Sequence, residues 1–92
     1  MFARMNTIQL KPGALPDYLR VLQAEILPIL RTQEGFVSSS TICATDQNIN
    51  MVTVWESVKS LETYHNGAFQ KICHLLADVN DDISRISIHQ ID

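Results

Sequence analysis

The chain has 92 residues, of which 46% are hydrophobic and 18% charged, with a net charge of −3 and seven Lys and Arg scattered singly. This is the composition of one globular domain; it argues against a disordered tail, and it lacks the basic stripe needed to follow phosphates, which excludes nucleic acid and acidic membrane surfaces as partners. A domain of this size buries only about 60–65% of its unfolded surface, so a partner subunit would help a marginal core.

Apolar runs such as Ile26 to Leu30 are too short to cross a bilayer, and no basic start leads into an apolar segment, so a cytoplasmic location is expected. Cys43 and Cys73 have neither the number nor the spacing of a disulfide scaffold or a zinc site. They read as two small buried apolar residues in a reducing compartment.

Phe2 to Leu10 (FARMNTIQL) reads as a strand, with Phe2, Arg4, Asn6, Ile8 and Leu10 on one face. Lys11-Pro12-Gly13 breaks it. From Leu15 the spacing turns helical: Leu15, Tyr18, Leu19, Leu22, Ile26, Ile29 and Leu30 share one arc of about 120°. Pro28 should kink the last turn, and Gly35 ends the element. Phe36 to Thr45, the turn residues Asp46-Gln47-Asn48 and Ile49 to Glu56 form a predicted hairpin. Leu61, Ala68, Ile72, Leu75, Leu76 and Val79 mark a second amphipathic helix, interrupted or bent at Asn66-Gly67 and closed by Asn80-Asp81-Asp82. Ile83 to Ile91 is a last strand.

The order strand, helix, strand, strand, helix, strand, with right-handed crossovers, predicts an α+β domain of ferredoxin-like βαββαβ topology: a four-stranded antiparallel sheet with both helices on one face. Residues 1–92 form one such domain. Met51, Val52, Val54 and Trp55 put apolar groups on both sides of one strand, so the helix-free face also needs a cover, for which a second copy of the chain is expected.

Four stretches, LKPG (Leu10 to Gly13), LPILRTQEGF (Leu27 to Phe36), VTVWES (Val52 to Ser57) and AFQ (Ala68 to Gln70), stand in the order and at the separations found in antibiotic-biosynthesis monooxygenase (ABM) domains, which the chain resembles from end to end. The resemblance implies a dimeric α/β barrel, two sheets back to back, with a small-molecule cleft in each subunit between sheet and helices. It also implies an oxygenase of small aromatic or quinol-like substrates that needs no metal or flavin. Such chemistry requires a group to take a proton from the substrate, donors for the resulting anion, and a dry cavity where the anion meets O2. The absence of a phosphate loop, metal cluster or dinucleotide fingerprint fits a cofactor-free site.

Trp55 falls where a Trp at the strand end is common in the family, and its indole N–H could donate to a substrate oxygen; the alternative is a core anchor. Some family oxygenases carry an Asn four residues before that Trp, where this chain has Met51. Asn6 is a strand amide among apolar neighbours and needs a partner if buried. Arg4 shares its face and could balance an anionic substrate, or form an ion pair.

On a helical wheel from Leu61, His65 projects at about 40°, inside the apolar arc, as a general base, donor or core histidine, and Tyr64 at about 300°, at its edge. Phe69 matches a family aromatic and is expected to touch substrate. His74 projects at about 220°, towards solvent.

A haem-degrading branch of the family supplies the alternative: it carries an Asn matched by Asn6, a Trp at the place of Tyr64, and an iron-ligating His approximated by His74, or by Cys73 if Phe69 sets the alignment. That reading requires a bend at Gly67 to turn His74 inward. A third reading is a ligand-binding dimer without catalysis. His89, Glu25 and Glu62 read as surface residues.

Overall fold

A computed structural model describes residues 1–91, with the side chains of residues 81 and 83–85 left aside. Its elements are β1 (Phe2–Leu10), α1 (Leu15–Val21), a π-helical segment (Leu22–Ile26), α2 (Leu27–Arg31), β2 (Phe36–Cys43), β3 (Asn48–Trp55), α3 (Val58–Asn66), α4 (Ala68–Leu76) and β4 (Asn80–Gln90). The strands form one antiparallel sheet in the order β2-β3-β1-β4, the expected ferredoxin-like topology.

Register follows from alternation. Burial along β3 switches at every residue, with Ile49, Met51, Thr53 and Trp55 inward and Asn50, Val52 and Val54 outward. A slip by one residue would reverse every one of these side chains. In β1 the inward set is Arg4, Asn6, Ile8 and Leu10. Two polar side chains thus enter the core from the middle of the central strand.

The first helical stretch departs from the predicted kink at Pro28. The chain widens one turn earlier, Leu27 N–H donating to Leu22 C=O five residues back. Proline lacks an N–H and crowds the carbonyl four residues before it, and a wide turn just ahead relieves both problems. The extra residue also changes the phase: Tyr18, Leu22, Ile26 and Leu30, spaced by fours, face the sheet, while Leu19, inside the predicted arc, is exposed.

The second helical stretch breaks where Asn66-Gly67 suggested. Gly67 has φ −118° and ψ −94°, outside helical values, and caps both α3 and α4. At its start, α3 is capped by Ser57, whose Oγ accepts from Ser60 N–H at 3.1 Å. Strand β4 begins at Asn80, earlier than predicted, because Asn80 and Asp82 pair with Leu10 and Gln9 across a bulge.

Between helices and sheet lies one core containing Ile8, Leu10, Tyr18, Ile26, Leu30, Ile49, Met51, Leu61, Ile72 and Leu76, each at most 1% exposed. The opposite sheet face carries Met5 paired with Val52, Ala3 paired with Val54, and Ile42 at 52% exposure.

Candidate active site

The polar residues of β1 meet the helix break. Arg4 and Asn6 are two apart on one strand, so their side chains leave the same face. Arg4 Nη1 donates to Asn6 Oδ1 at 2.9 Å, and Nη2 donates to Nδ1 of His65 on α3 at 3.2 Å. Arginine has only donors, so His65 Nδ1 must accept, and the neutral imidazole carries its proton on Nε2.

Aromatic rings enclose the guanidinium. Its carbon lies 4.0 Å from the Phe69 ring centroid and 5.5 Å from that of Tyr64. The His65 and Phe69 rings stack at 5.5 Å and 17°, and Tyr64 stacks on Trp55 at 4.7 Å and 29°. Phe36 meets Trp55 edge-on at 5.5 Å. The break at Gly67 lets this happen: Tyr64 and His65 come from the last turn of α3 and Phe69 from the first of α4.

Arg4 is 0% exposed, and among the described residues the one side-chain ion pair is Arg20 with Asp17, on the surface. A buried guanidinium without a carboxylate is costly, and the quadrupoles of Phe69 and Tyr64 offset only part of that cost. Desolvation accordingly lowers the Arg4 pKa, against smaller opposing effects of Tyr64 and Cys73. Burial also pushes Tyr64 above the ordinary phenol value, with Arg4 pulling the other way, so Tyr64 remains a neutral O–H donor. Desolvation likewise raises Cys73.

Three buried donors of this cluster have no partner among the described residues: Arg4 Nε–H, the Asn6 side-chain amide and the Tyr64 hydroxyl. The sequence marked Asn6 as an amide in need of a partner. Arg4 supplies one to its oxygen, and its nitrogen stays unmatched. An unfilled donor set of this kind, beside an opening, can receive an anionic oxygen.

The opening is a cleft of about 460 Å³ between α3 and β4, lined by Leu61, Glu62, His65, Asn66, Ile86 and Ile88. His65 is the link, facing the cleft and touching Arg4. Ile88 lies across from Arg4 in the β1–β4 register. Neither isoleucine stood out in the sequence, because the bulge that shifts β4 between Met5 and Thr7 has no clear sequence mark. Glu62 is exposed, as its surface reading expects, and its spacing of three from His65 also brings it to the cleft rim. A second, smaller cavity of about 240 Å³, between Gln33, Glu34 and the start of α3, shares only Tyr64 with the cluster.

Trp55 is wholly buried, and its indole N–H donates to Thr53 Oγ1 at 2.9 Å, so it meets the site as an aromatic floor beneath Tyr64. The structure thus gathers Arg4, Asn6, Tyr64, His65 and Phe69, with Trp55 behind them. His74 is exposed even with the helix broken. His89 is exposed beside Ser87 on β4, its ring nitrogen 3.1 Å from the Ser87 hydroxyl.

His74 therefore does not fit as a haem iron ligand. His74 points away from the cluster, and the ring nitrogen that faces inward, His65 Nδ1, is held by a cation. Among the described residues no three His, Cys, Asp or Glu side chains gather as a metal-ligand set, and no helix is long and apolar enough to cross a membrane.

A four-stranded sheet with helices on one face, and a cleft where a broken helix meets the sheet edge, define a small α+β domain of ferredoxin-like type. Residues 1–74 match the family model of the antibiotic biosynthesis monooxygenases, and the chain belongs to that family. Similar solved structures agree in fold. A protein of Bordetella bronchiseptica superposes with a TM-score of 0.78 at 19% identity, over 99% of this chain and 96% of that one. A mutant of SnoaB, a cofactor-independent oxygenase from Streptomyces nogalater, gives 0.78 at 13% identity, over 98% and 91%. The haem-degrading MhuD of Mycobacterium tuberculosis, with two haems bound in its active site, gives 0.78 at 18% identity, over 99% and 95%. No curated protein matches the chain.

Proposed function

We propose that this chain is a cofactor-independent monooxygenase of a small aromatic or quinol-like molecule, with Arg4, Asn6, Tyr64 and His65 as its polar site and Phe69 and Trp55 as its aromatic wall. The observation that carries the reading is the buried Arg4 guanidinium without a carboxylate among the described residues, next to unmatched donors and behind a histidine that lines a cleft.

A phenolic hydroxyl entering from the cleft would come between His65 Nδ1 and Arg4 Nη2. Its proton passes to Nδ1, and its oxygen takes the guanidinium N–H that the imidazole gives up. Asn6 and Tyr64 add neutral donors, so the phenolate forms where its charge is already matched. Electron density from the ring then reduces O2, and the balance is phenol plus O2 giving quinone plus water. Family membership supports the reaction type, and a cleft walled by Leu61, Ile86 and Ile88 suits a flat apolar body.

The chain acts in this reading as a homodimer through its open sheet faces, where Met5, Val52, Val54 and Ile42 would otherwise meet water. Two free cysteines, Cys43 exposed, suit a reducing cytoplasm. Oxygen uptake over a panel of phenols and hydroquinones tests the reading. His65→Ala should remain folded and lose at least about a hundredfold in turnover. Unchanged turnover would remove His65 from the mechanism, and no uptake with any substrate would leave a binding protein.

A further inference from the structure

The guanidinium of Arg4 is used unevenly. Nη1 is anchored to Asn6, whereas among the described residues Nε has no partner and Nη2 is held only by a neutral histidine nitrogen at 3.2 Å. Nε and Nη2 lie on one edge of the planar group, the edge whose two parallel N–H bonds grip a carboxylate side-on. A structural arginine would show that fork filled by protein. Here one half is empty, and the other is closed by the residue that lines the cleft.

We infer that the cleft binds a small organic carboxylate: an apolar, flat body between Leu61, Ile86 and Ile88, and a carboxylate delivered to the Nε and Nη2 edge of Arg4 in place of the His65 ring. This rests on the same cleft as the oxygenase reading and adds a ligand class to it: the acid takes the Nη2 donor that a phenol oxygen would otherwise take, so the two compete for Arg4.

Three features select this ligand chemistry. The fork matches two oxygens about as far apart as those of a carboxylate. Arg4 Nε–H and the Asn6 amide NH2, both buried and unmatched, can only donate, and the unmatched Tyr64 hydroxyl can also donate, so an anion can use all three and a cation only the hydroxyl oxygen. Glu62 at the cleft rim, with no basic residue among the described lining residues, disfavours a dianion such as a phosphate monoester. His65 acts as a gate: it borders both cleft and cluster, and its stacking on Phe69 leaves the ring an apolar surface to slide along.

The test is calorimetric titration of the full chain with benzoate, its neutral isostere benzamide, and phenyl phosphate, without oxygen turnover. Benzoate should bind at least about tenfold tighter than benzamide, the worth of one charge-assisted pair, and tighter than phenyl phosphate. Arg4→Met should abolish the preference for benzoate while the fold keeps or gains thermal stability, since an apolar side chain of similar length replaces an uncompensated buried charge. His65→Ala should keep the preference, because that variant opens the gate without touching the fork.

Equal binding of benzoate and benzamide by the native chain, or a preference that survives Arg4→Met, would overturn the inference. If Arg4→Met does not fold, Arg4 is structural, and the inference falls unless benzoate raises the melting temperature of the native chain and benzamide does not. Loss of turnover with retained benzoate preference in His65→Ala separates the two readings. Absence of any oxygenase activity leaves the carboxylate site standing, and benzoate indifference in an active oxygenase removes it alone.

Discussion

Gly35 ties the fold to the site, and replacing it with alanine tests that tie. Its φ of +79° lies in the left-handed region, and a Cβ there would overlap the Ser60 hydroxyl and come within 2.5 Å of Ser60 Cβ. Ser60 sits in the first turn of α3, whose last turn holds Tyr64 and His65. The backbone conformation costs roughly 1–2 kcal/mol in a non-glycine residue. The overlap adds about 1–3 kcal/mol, as for overpacked cores. Gly35→Ala should therefore destabilise the chain by about 2–5 kcal/mol, against total stabilities of roughly 5–15 kcal/mol for domains. Urea unfolding at fixed protein concentration measures this, followed by the fluorescence of Trp55, the chain's single tryptophan. The control is Ser60→Gly, which removes the obstructing side chain but keeps the Ser60 N–H that Ser57 caps. In that background Gly35→Ala should lose only its conformational part, giving a coupling of about 1–3 kcal/mol. Equal losses in both backgrounds would refute the argument that this glycine exists to let α3 approach the sheet. Benzoate binding should weaken in Gly35→Ala and recover in the double variant, because the displaced helix carries His65.

Tyr18 and Tyr64 are the only tyrosines, and both are buried, with Tyr18 raised to about 12 and Tyr64 further above the ordinary 10.0, burial being the main cause in each. The unfolded chain gives up these protons first, so it binds fewer protons than the folded chain above pH 10.0, and stability should be unaffected below that pH and fall as it rises towards 12. Tyrosinate absorbance should then appear together with unfolding; a gradual rise near pH 10.0 in the folded protein would show a phenol open to water. Val52→Asp, on the open sheet face, should halve the mass seen by light scattering and leave the circular dichroism of the fold unchanged; a monomeric native chain would remove the dimer reading. Haem titrated into the native chain and into His74→Ala should give the same visible spectra, because His74 is exposed; a saturable Soret band lost in the variant would put His74 on the iron.

Alternation made β3 readable residue by residue, because a half-buried strand repeats every two positions and Ile49 to Trp55 keep that period without a break. The break at Gly67 was legible for a similar local reason, an Asn-Gly pair inside an apolar helical pattern. Leu19 was misplaced because a π turn adds a residue to the helical period, and no single residue type announces it; Pro28 was read as the kink and is instead what the turn accommodates. Asn80 and Asp82 looked like a helix stop and lie in β4, where pairing with β1 outweighs their low strand propensity. In the site, Arg4 and Asn6 could be placed on one face by parity, and His65 beside the apolar arc by its angle. Which partners they would find could not be read, since the sequence separation of 61 from Arg4 to His65 is closed by the whole sheet. A carboxylate missing among the described residues is a property of three-dimensional neighbours, visible only in the folded chain.

That missing carboxylate sets the balance between stability and binding. A core of this size could hold an apolar residue at position 4 with less strain, and the aromatic faces of Phe69 and Tyr64 do not replace a counter-ion. The free chain is therefore less stable than its packing allows, by the cost of an unmatched cation, and any anion that reaches the fork removes that cost only in the folded state. Linkage makes the consequence measurable: a ligand at about a hundred times its dissociation constant adds about 2.7 kcal/mol, roughly 10–20 °C in a domain of this length. Salt should compete weakly with this gain, since a buried pair behind His65 is screened far less than one on the surface. A stabilisation by benzoate that vanished at moderate salt would instead place the anion on the exposed surface, away from Arg4.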